Sequence, residues 1–394
     1  MSRTQGTVAR GIRTPIVREG DNVVDIVFHS VALAVEAEKL KLKDKDVIGI
    51  TESLVARAQG NYCTTSDIAK DIDDMFDDHI GVVFPILSRN RFSLILKGIV
   101  ESGKKVTLLL SYPSDEVGNH LMSLDKLDEL KINPYDRILT EKEYRDLFGK
   151  EVYHEFTGID YVRMYKDIGG DNLEIIFAND PRVILDYTDQ VLAADIHTRK
   201  RTKRLLEEAG AKKVYTLDDI LNNPVNGSGY NPQYGVLGSN LASDNELKLF
   251  PRDGQQYVEA IQKKFLDFYG VKVEVMIYGD GAFRDPVGKI WELADPVVSP
   301  AFTEGLKGIP NEIKIKYIAD TELENVYGED AVNMIKQKIY AKDQDLFSRA
   351  ESLGTTPRQI TDLLGSLCDL MSGSGDKGTP VVLVQGYFDN FASE

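Results

Sequence analysis

The sequence predicts a mixed α+β protein with α/β segments, arranged as two or more intertwined domains. Three observations lead there. The chain has 394 residues, more than one ordinary hydrophobic core serves. From Gly81 onward, stretches of helical periodicity alternate with short β-branched runs, the pattern of layered α/β structure. Asn222 to Tyr234, NNPVNGSGYNPQY, is dense in Asn, Gly, Ser and Pro, so a linker or functional loop and a domain boundary are expected near it.

The elements follow in order. Val24, Val27, Phe28, Val31, Val35 and Leu40 recur at helical spacing, which predicts a helix over residues 23–42 with Asp21 as its N-cap. Asp46 to Thr51 reads as a strand, followed by an apolar run interrupted by polar groups, ESLVARAQG from Glu52 to Gly60. Thr64 to Asp67 offers caps for an acidic helix reaching Asp77 or Asp78, which His79 closes as a helix-end cation. A helix over 91–102 and a strand over 105–111 come next. Further on are a strand over 172–178, a charged helix over 199–209, and a strand-to-helix segment from Lys213. A helix led by Pro251 runs to Phe268, an acidic helical segment covers 320–364, and Pro380 to Val384 is a last strand.

The net charge of −16, from 47 Lys and Arg against 63 Asp and Glu, argues against nucleic acid as the partner, because that binding rests on a basic field. Cys63 and Cys368 stand far apart, so neither a disulfide framework nor a cysteine zinc site is expected, and a reducing cytoplasm fits. The N-terminus has no apolar leader and no stretch approaches the ~20 apolar residues of a membrane span, so a cytoplasmic protein without membrane contact is expected. His29, His120, His154 and His197 share no ligand or triad spacing. The cluster TRKRTKR, Thr198 to Arg204, is either a solvated helix face or a landing patch for an anionic substrate.

Val271 to Pro286, VKVEVMIYGDGAFRDP, alternates apolar and polar residues up to Gly279-Asp280-Gly281. A carboxylate at a strand end is a usual ligand for Mg²⁺ or Mn²⁺, and Arg284 can fork onto a phosphate or carboxylate. Asp-Gly after a strand is equally a hairpin signal.

The order of motifs resembles the coenzyme F420-0:L-glutamate ligase family. Gly11 to Asp21 is similar to that family's Gly-Ile-Pro-Leu-Ile segment, which implies nucleotide contact by Thr14, Pro15, Ile16 and Val17. Glu52 to Gly60 is similar to the family's Gln-Thr/Ser-Leu-Val-Ser-Lys-Ala-Glu-Gly, which implies that Glu52, Ser53 and Arg57 face the nucleotide. Glu52 replaces a neutral amide, and Arg57 replaces a lysine, a point charge becoming a fork. Gly235 to Asn240, followed by Leu249 to Asp253, resembles Gly-Val-Asp-Ala-Ser-Asn followed by Leu-Pro-x-Asp. Asn240 is then a nucleotide contact, and Leu237 stands where a metal-binding aspartate is expected. Val271 to Pro286 resembles Ile-Ser-Asp-Thr-Phe-Gly-Arg-Pro-Trp, with Asp280 as metal ligand and catalytic residue, Arg284 as a second catalytic residue and Gly281 in place of a ligating threonine. Pro380 to Gly386 is similar to the family's Pro-Val-Val-Leu-Ile/Val-Arg-Gly, with Gln385 in the arginine's place.

The resemblance covers roughly the first 60 residues and most of 235–386. It implies a ligase-like fold in which residues 1–114 and 235–394 hold the nucleotide and metal site and residues 115–234 form an inserted α/β region. The implied activity is a GTP-dependent amide ligase that joins L-glutamate, or another amino acid, to a carboxylate activated as an acyl phosphate, with Mg²⁺ or Mn²⁺ and a homodimeric assembly. Glu52 is a further candidate metal ligand, offsetting the aspartate lost at Leu237. The other reading is a divergent relative that binds an anionic small molecule or nucleotide without ligase chemistry.

Overall fold

The computed structural model describes residues 5–279, 283–284, 291–292, 299–346, 349–352, 355, 358–372 and 376–393. In chain order the strands are β1 (Val8–Ile12), β2 (Val47–Thr51), β3 (Tyr62–Thr64), β4 (His79–Val83), β5 (Lys105–Leu110), β6 (Leu139–Thr140), β7 (Leu173–Phe177) and β8 (Gln190–Ala193). They continue as β9 (Lys213–Thr216), β10 (Asn240–Ser243), β11 (Glu246–Lys248), β12 (Glu274–Tyr278), β13 (Phe283–Arg284), β14 (Trp291–Glu292), β15 (Ala301–Phe302) and β16 (Val381–Gln385).

One five-stranded sheet, ordered β1-β16-β2-β12-β15, is assembled from both ends of the chain. β2 and β12 run parallel at its centre, while β16 pairs antiparallel with both β1 and β2. Both faces are covered. Ile48, Ile50, Val275, Ile277, Val381 and Leu383 pack toward a cluster containing Val27, Val31, Val258 and Phe265, from the helices Val23–Ala37 and Gly254–Tyr269. Val47, Met276, Val382 and Val384 pack the other way with Leu364 and Cys368 of the helix Ile360–Ser372. Two-sided burial explains why these strands read as unbroken apolar runs. It also corrects the alternation expected over Val271 to Ile277: Glu274 and Met276 are buried too, and Glu274 is accommodated by the hydroxyl of Thr303 and the amide of Gln262.

A six-stranded sheet, ordered β6-β7-β5-β4-β8-β9, is parallel except for its edge strand β6. The strand order reverses between β4 and β8, a doubly wound arrangement. This sheet draws on residues 79–216, so the expected boundary at 114/115 falls within it, between β5 and β6. A small antiparallel sheet, β10-β11-β3, contributes Cys63, Leu247 and the neighbouring Leu249 to the same core as the six-stranded sheet.

Several local expectations are corrected. Asn22, not Asp21, caps the first helix, its side chain accepting from Asp25 N, while Asp21 accepts from Arg18 N. That helix ends at Ala37. His79 opens β4 instead of closing the preceding helix, and its Nε2 lies 2.9 Å from Thr107 Oγ1. The acidic helix stops at Met75, held at its start by a capping box between Thr64 and Asp67. The interrupted apolar run from Glu52 is a short helix, Glu52–Ala58, capped by Thr51.

Candidate functional site

The loop Gly235 to Asn240 is anchored by its own backbone. Gly235 has φ +51°, and a Cβ there would meet Ile220 O at 2.4 Å; Gly238 has φ +75°, with the Phe250 ring 2.5 Å from where its Cβ would stand. Only glycine meets both demands. Between them Leu237 is buried in the apolar core of the six-stranded sheet, its N–H donating to Tyr234 O. Leucine at this position is therefore a packing residue and brings no carboxylate to this loop.

The loop delivers Asn240 into β10, directly opposite Lys248 of β11, and Lys248 is in turn opposite Tyr62 of β3. The Lys248 ammonium donates to Ser53 Oγ and lies 3.6 Å from Glu52 Oε1. Both charged side chains are nearly enclosed, 14% and 10% exposed. Glu52, Ser53 and Asn240 are thus brought together around a lysine that the sequence reading did not single out. Its signal was faint: one lysine in an alternating run, ELKLF. The pairing leaves Glu52 engaged with an ammonium, and among the described residues no group of three His, Cys, Asp or Glu side chains is arranged to hold a metal. The described residues therefore do not by themselves compose a divalent-cation site.

Thr51 places this cluster. It caps the helix that begins with Glu52 and is the register partner of Tyr278, so Glu52 follows the carboxyl end of the parallel β2–β12 pair. Asp280 and Gly281 lie outside the described residues, and Arg284 is described only as backbone in β13. Arg57 is exposed on the Glu52–Ala58 helix, near Tyr62, whose phenol is pushed up by burial and held back by that guanidinium. Gly60, just beyond the helix, abuts the Glu19 carboxyl. Val17 is buried with Leu54 and Val55, whereas Ile16 is 79% exposed. Thr14 and Pro15 instead line a cavity of about 820 Å³ against the first helix, with Arg10, Arg13 and His29. No contact among the described side chains joins them to Lys248.

Two asparagines escaped the sequence reading. Asn61 is wholly buried, donates to Phe250 O at 2.6 Å, and accepts from Tyr230 N and the Arg252 guanidinium, tying the Asn/Gly/Pro-rich loop to the segment after β11. Asn90, in the loop after β4, donates to Asn240 Oδ1 at 3.3 Å, and its carbonyl accepts from Leu241 N. Beside Asn240, the Ser239 hydroxyl is buried without a hydrogen-bond partner among the described residues. The basic helix Arg199–Glu208 is largely neutralised, Arg199 by Asp218, Lys203 by Asp219 and Arg204 by Glu208.

The architecture is that of a mixed α/β enzyme with its polar cluster where two sheets meet. Residues 11–386 match the model of the F420-0:Gamma-glutamyl ligase family, and the chain belongs to that family. The match supports ligase-type function, an enzyme joining glutamate. A comparison with curated proteins found no match. No helix among the described residues is long and apolar enough to cross a membrane.

Proposed function

We propose that the protein is a nucleotide-dependent amide ligase that attaches L-glutamate, or a similar amino acid, to a carboxylate activated as an acyl phosphate, with GTP as phosphoryl donor. The convergence of Glu52, Ser53 and Asn240 on Lys248 carries this reading, because three residues separated by nearly 200 positions share one cluster rich in hydrogen-bond donors. In the reaction the acceptor's carboxylate oxygen attacks the γ-phosphorus and the bond to the β-phosphate oxygen breaks, releasing GDP. The amine of glutamate then attacks the acyl carbon, phosphate leaves with the former carboxylate oxygen, and the nitrogen gives up a proton. Such chemistry asks the protein mainly for positioning and charge.

In this reading Ser53, Asn240 and Arg57 contact the nucleotide, with Thr14 to Val17 and Glu52 as further contacts. Asp280 and Arg284 serve the reacting end, and Mg²⁺ or Mn²⁺ accompanies the nucleotide with Asp280 as its ligand. A homodimer in the cytoplasm completes the proposal. A second reading, a binder of nucleotide or another anion without ligation, is favoured by one observation: Leu237 is buried in the core where a metal-binding carboxylate was expected. Isothermal titration with GTP, ATP and GDP separates the two. The ligase reading predicts tighter GTP binding when Mn²⁺ is added; equal affinity with and without the metal favours the non-catalytic binder.

A further inference from the structure

We propose that Lys248 is a phosphate-positioning residue, acting through Ser53; this rests on the reading that a nucleotide occupies the cluster. A lysine ammonium has three N–H groups and no acceptor, so in its contact with Ser53 Oγ the serine must accept. That contact leaves the serine's own O–H to donate, and among the described residues no hydrogen bond uses it. A hydroxyl polarised by an ammonium is a stronger donor, suited to an anionic oxygen. Glu52, 3.6 Å from the ammonium, balances the charge without a direct hydrogen bond to it. Asn240 stands opposite Lys248 across the ladder, on the side of β11 away from Tyr62. The ligand this set fits is a phosphate oxygen of a nucleotide polyphosphate. The exposed Arg57, on the same helix as Ser53, adds a second positive charge.

Removing one member of an enclosed ion pair destabilises a protein whatever its function, whereas removing both often does not. The test uses that asymmetry. Lys248→Met alone is expected to lower both the melting temperature and the affinity for GTP and for inorganic tripolyphosphate. The double variant Glu52→Gln, Lys248→Met is expected to recover a melting temperature near that of the wild type yet still bind both probes at least about tenfold more weakly. Ser53→Ala should lose affinity comparably, and adding Lys248→Met to Ser53→Ala should cost little more, because the two act as one unit. A double variant that binds GTP like the wild type overturns the role of Lys248 and leaves the nucleotide reading standing. Wild-type protein that binds neither GTP nor tripolyphosphate overturns the nucleotide reading, and the role of Lys248 with it.

Discussion

The six-stranded sheet and the junction around Lys248 differ in how their polar groups are engaged. In the six-stranded sheet the acids are mostly consumed internally: Asp115 accepts from Leu87 N, Val117 N and Asn119 N, and Asp160 receives both arms of the Arg145 guanidinium at 2.7 and 3.0 Å. Even the turn after β8, at the point where strand order reverses and doubly wound sheets usually bind ligands, has its amides taken, since Glu116 accepts from Ile196 N and His197 N. Near the start of the Glu52–Ala58 helix and of β10, no hydrogen bond among the described residues uses the Ser53 O–H, the Ser239 hydroxyl or the Arg57 guanidinium. Satisfied networks suit a scaffold, whereas donors without internal partners are open to a ligand. The six-stranded sheet reaches the junction through Asn90, in the loop after β4, whose side chain donates to Asn240 Oδ1.

The largest effect expected on the scaffold side comes from Arg145→Met, which strands the buried Asp160 carboxylate. Chemical denaturation should show a loss of about 3–5 kcal/mol. The GTP affinity of the folded variant should be unchanged, because no contact among the described residues links this pair to Lys248. A loss of affinity without loss of stability would dissolve the division between scaffold and site.

Asp195 sharpens the comparison with a smaller effect, being the scaffold's incompletely matched acid. Its Oδ2 accepts from Thr198 and Thr202 while Oδ1 has no partner among the described residues, and burial, only partly opposed by those hydroxyls, raises its pKa from 3.8 to about 6. Between those values the folded state holds the proton more tightly than the unfolded chain, so this group's destabilising effect is absent below about pH 4 and grows as pH rises through 6. Asp195→Asn should therefore gain stability relative to wild type, on the order of 2 kcal/mol, between pH 4.5 and 7.5. A stability difference that stays flat across that range would show that the carboxyl is ordinarily ionised in the fold.

The sequence disclosed these regions unequally, for physical reasons. β2 and β16 were legible because strands covered on both faces are continuous β-branched runs, and the helix Val23–Ala37 because its buried side recurs at helical spacing. β4 and β8 were missed: HIGVV and QVLA are short, and parallel partners far along the chain, not local pattern, make them strands. At the site, motif order pointed to Glu52, Ser53 and Asn240, yet Lys248 carries no motif and emerges only from the register of β10, β11 and β3. Glu52, a departure from the family's neutral amide, lies 3.6 Å from the Lys248 ammonium, a pairing that no local pattern announces.

The most direct test of the account is a ligation assay on the full chain with F420-0, L-glutamate, GTP and Mn²⁺, read by mass spectrometry of the acceptor and by GDP release, with Asp280→Asn alongside. The account predicts an acceptor heavier by one glutamyl residue, one GDP per amide bond formed, and neither product from the Asp280→Asn protein although it remains folded. Tight GTP binding with no glutamylated product, or unchanged turnover by Asp280→Asn, would contradict it.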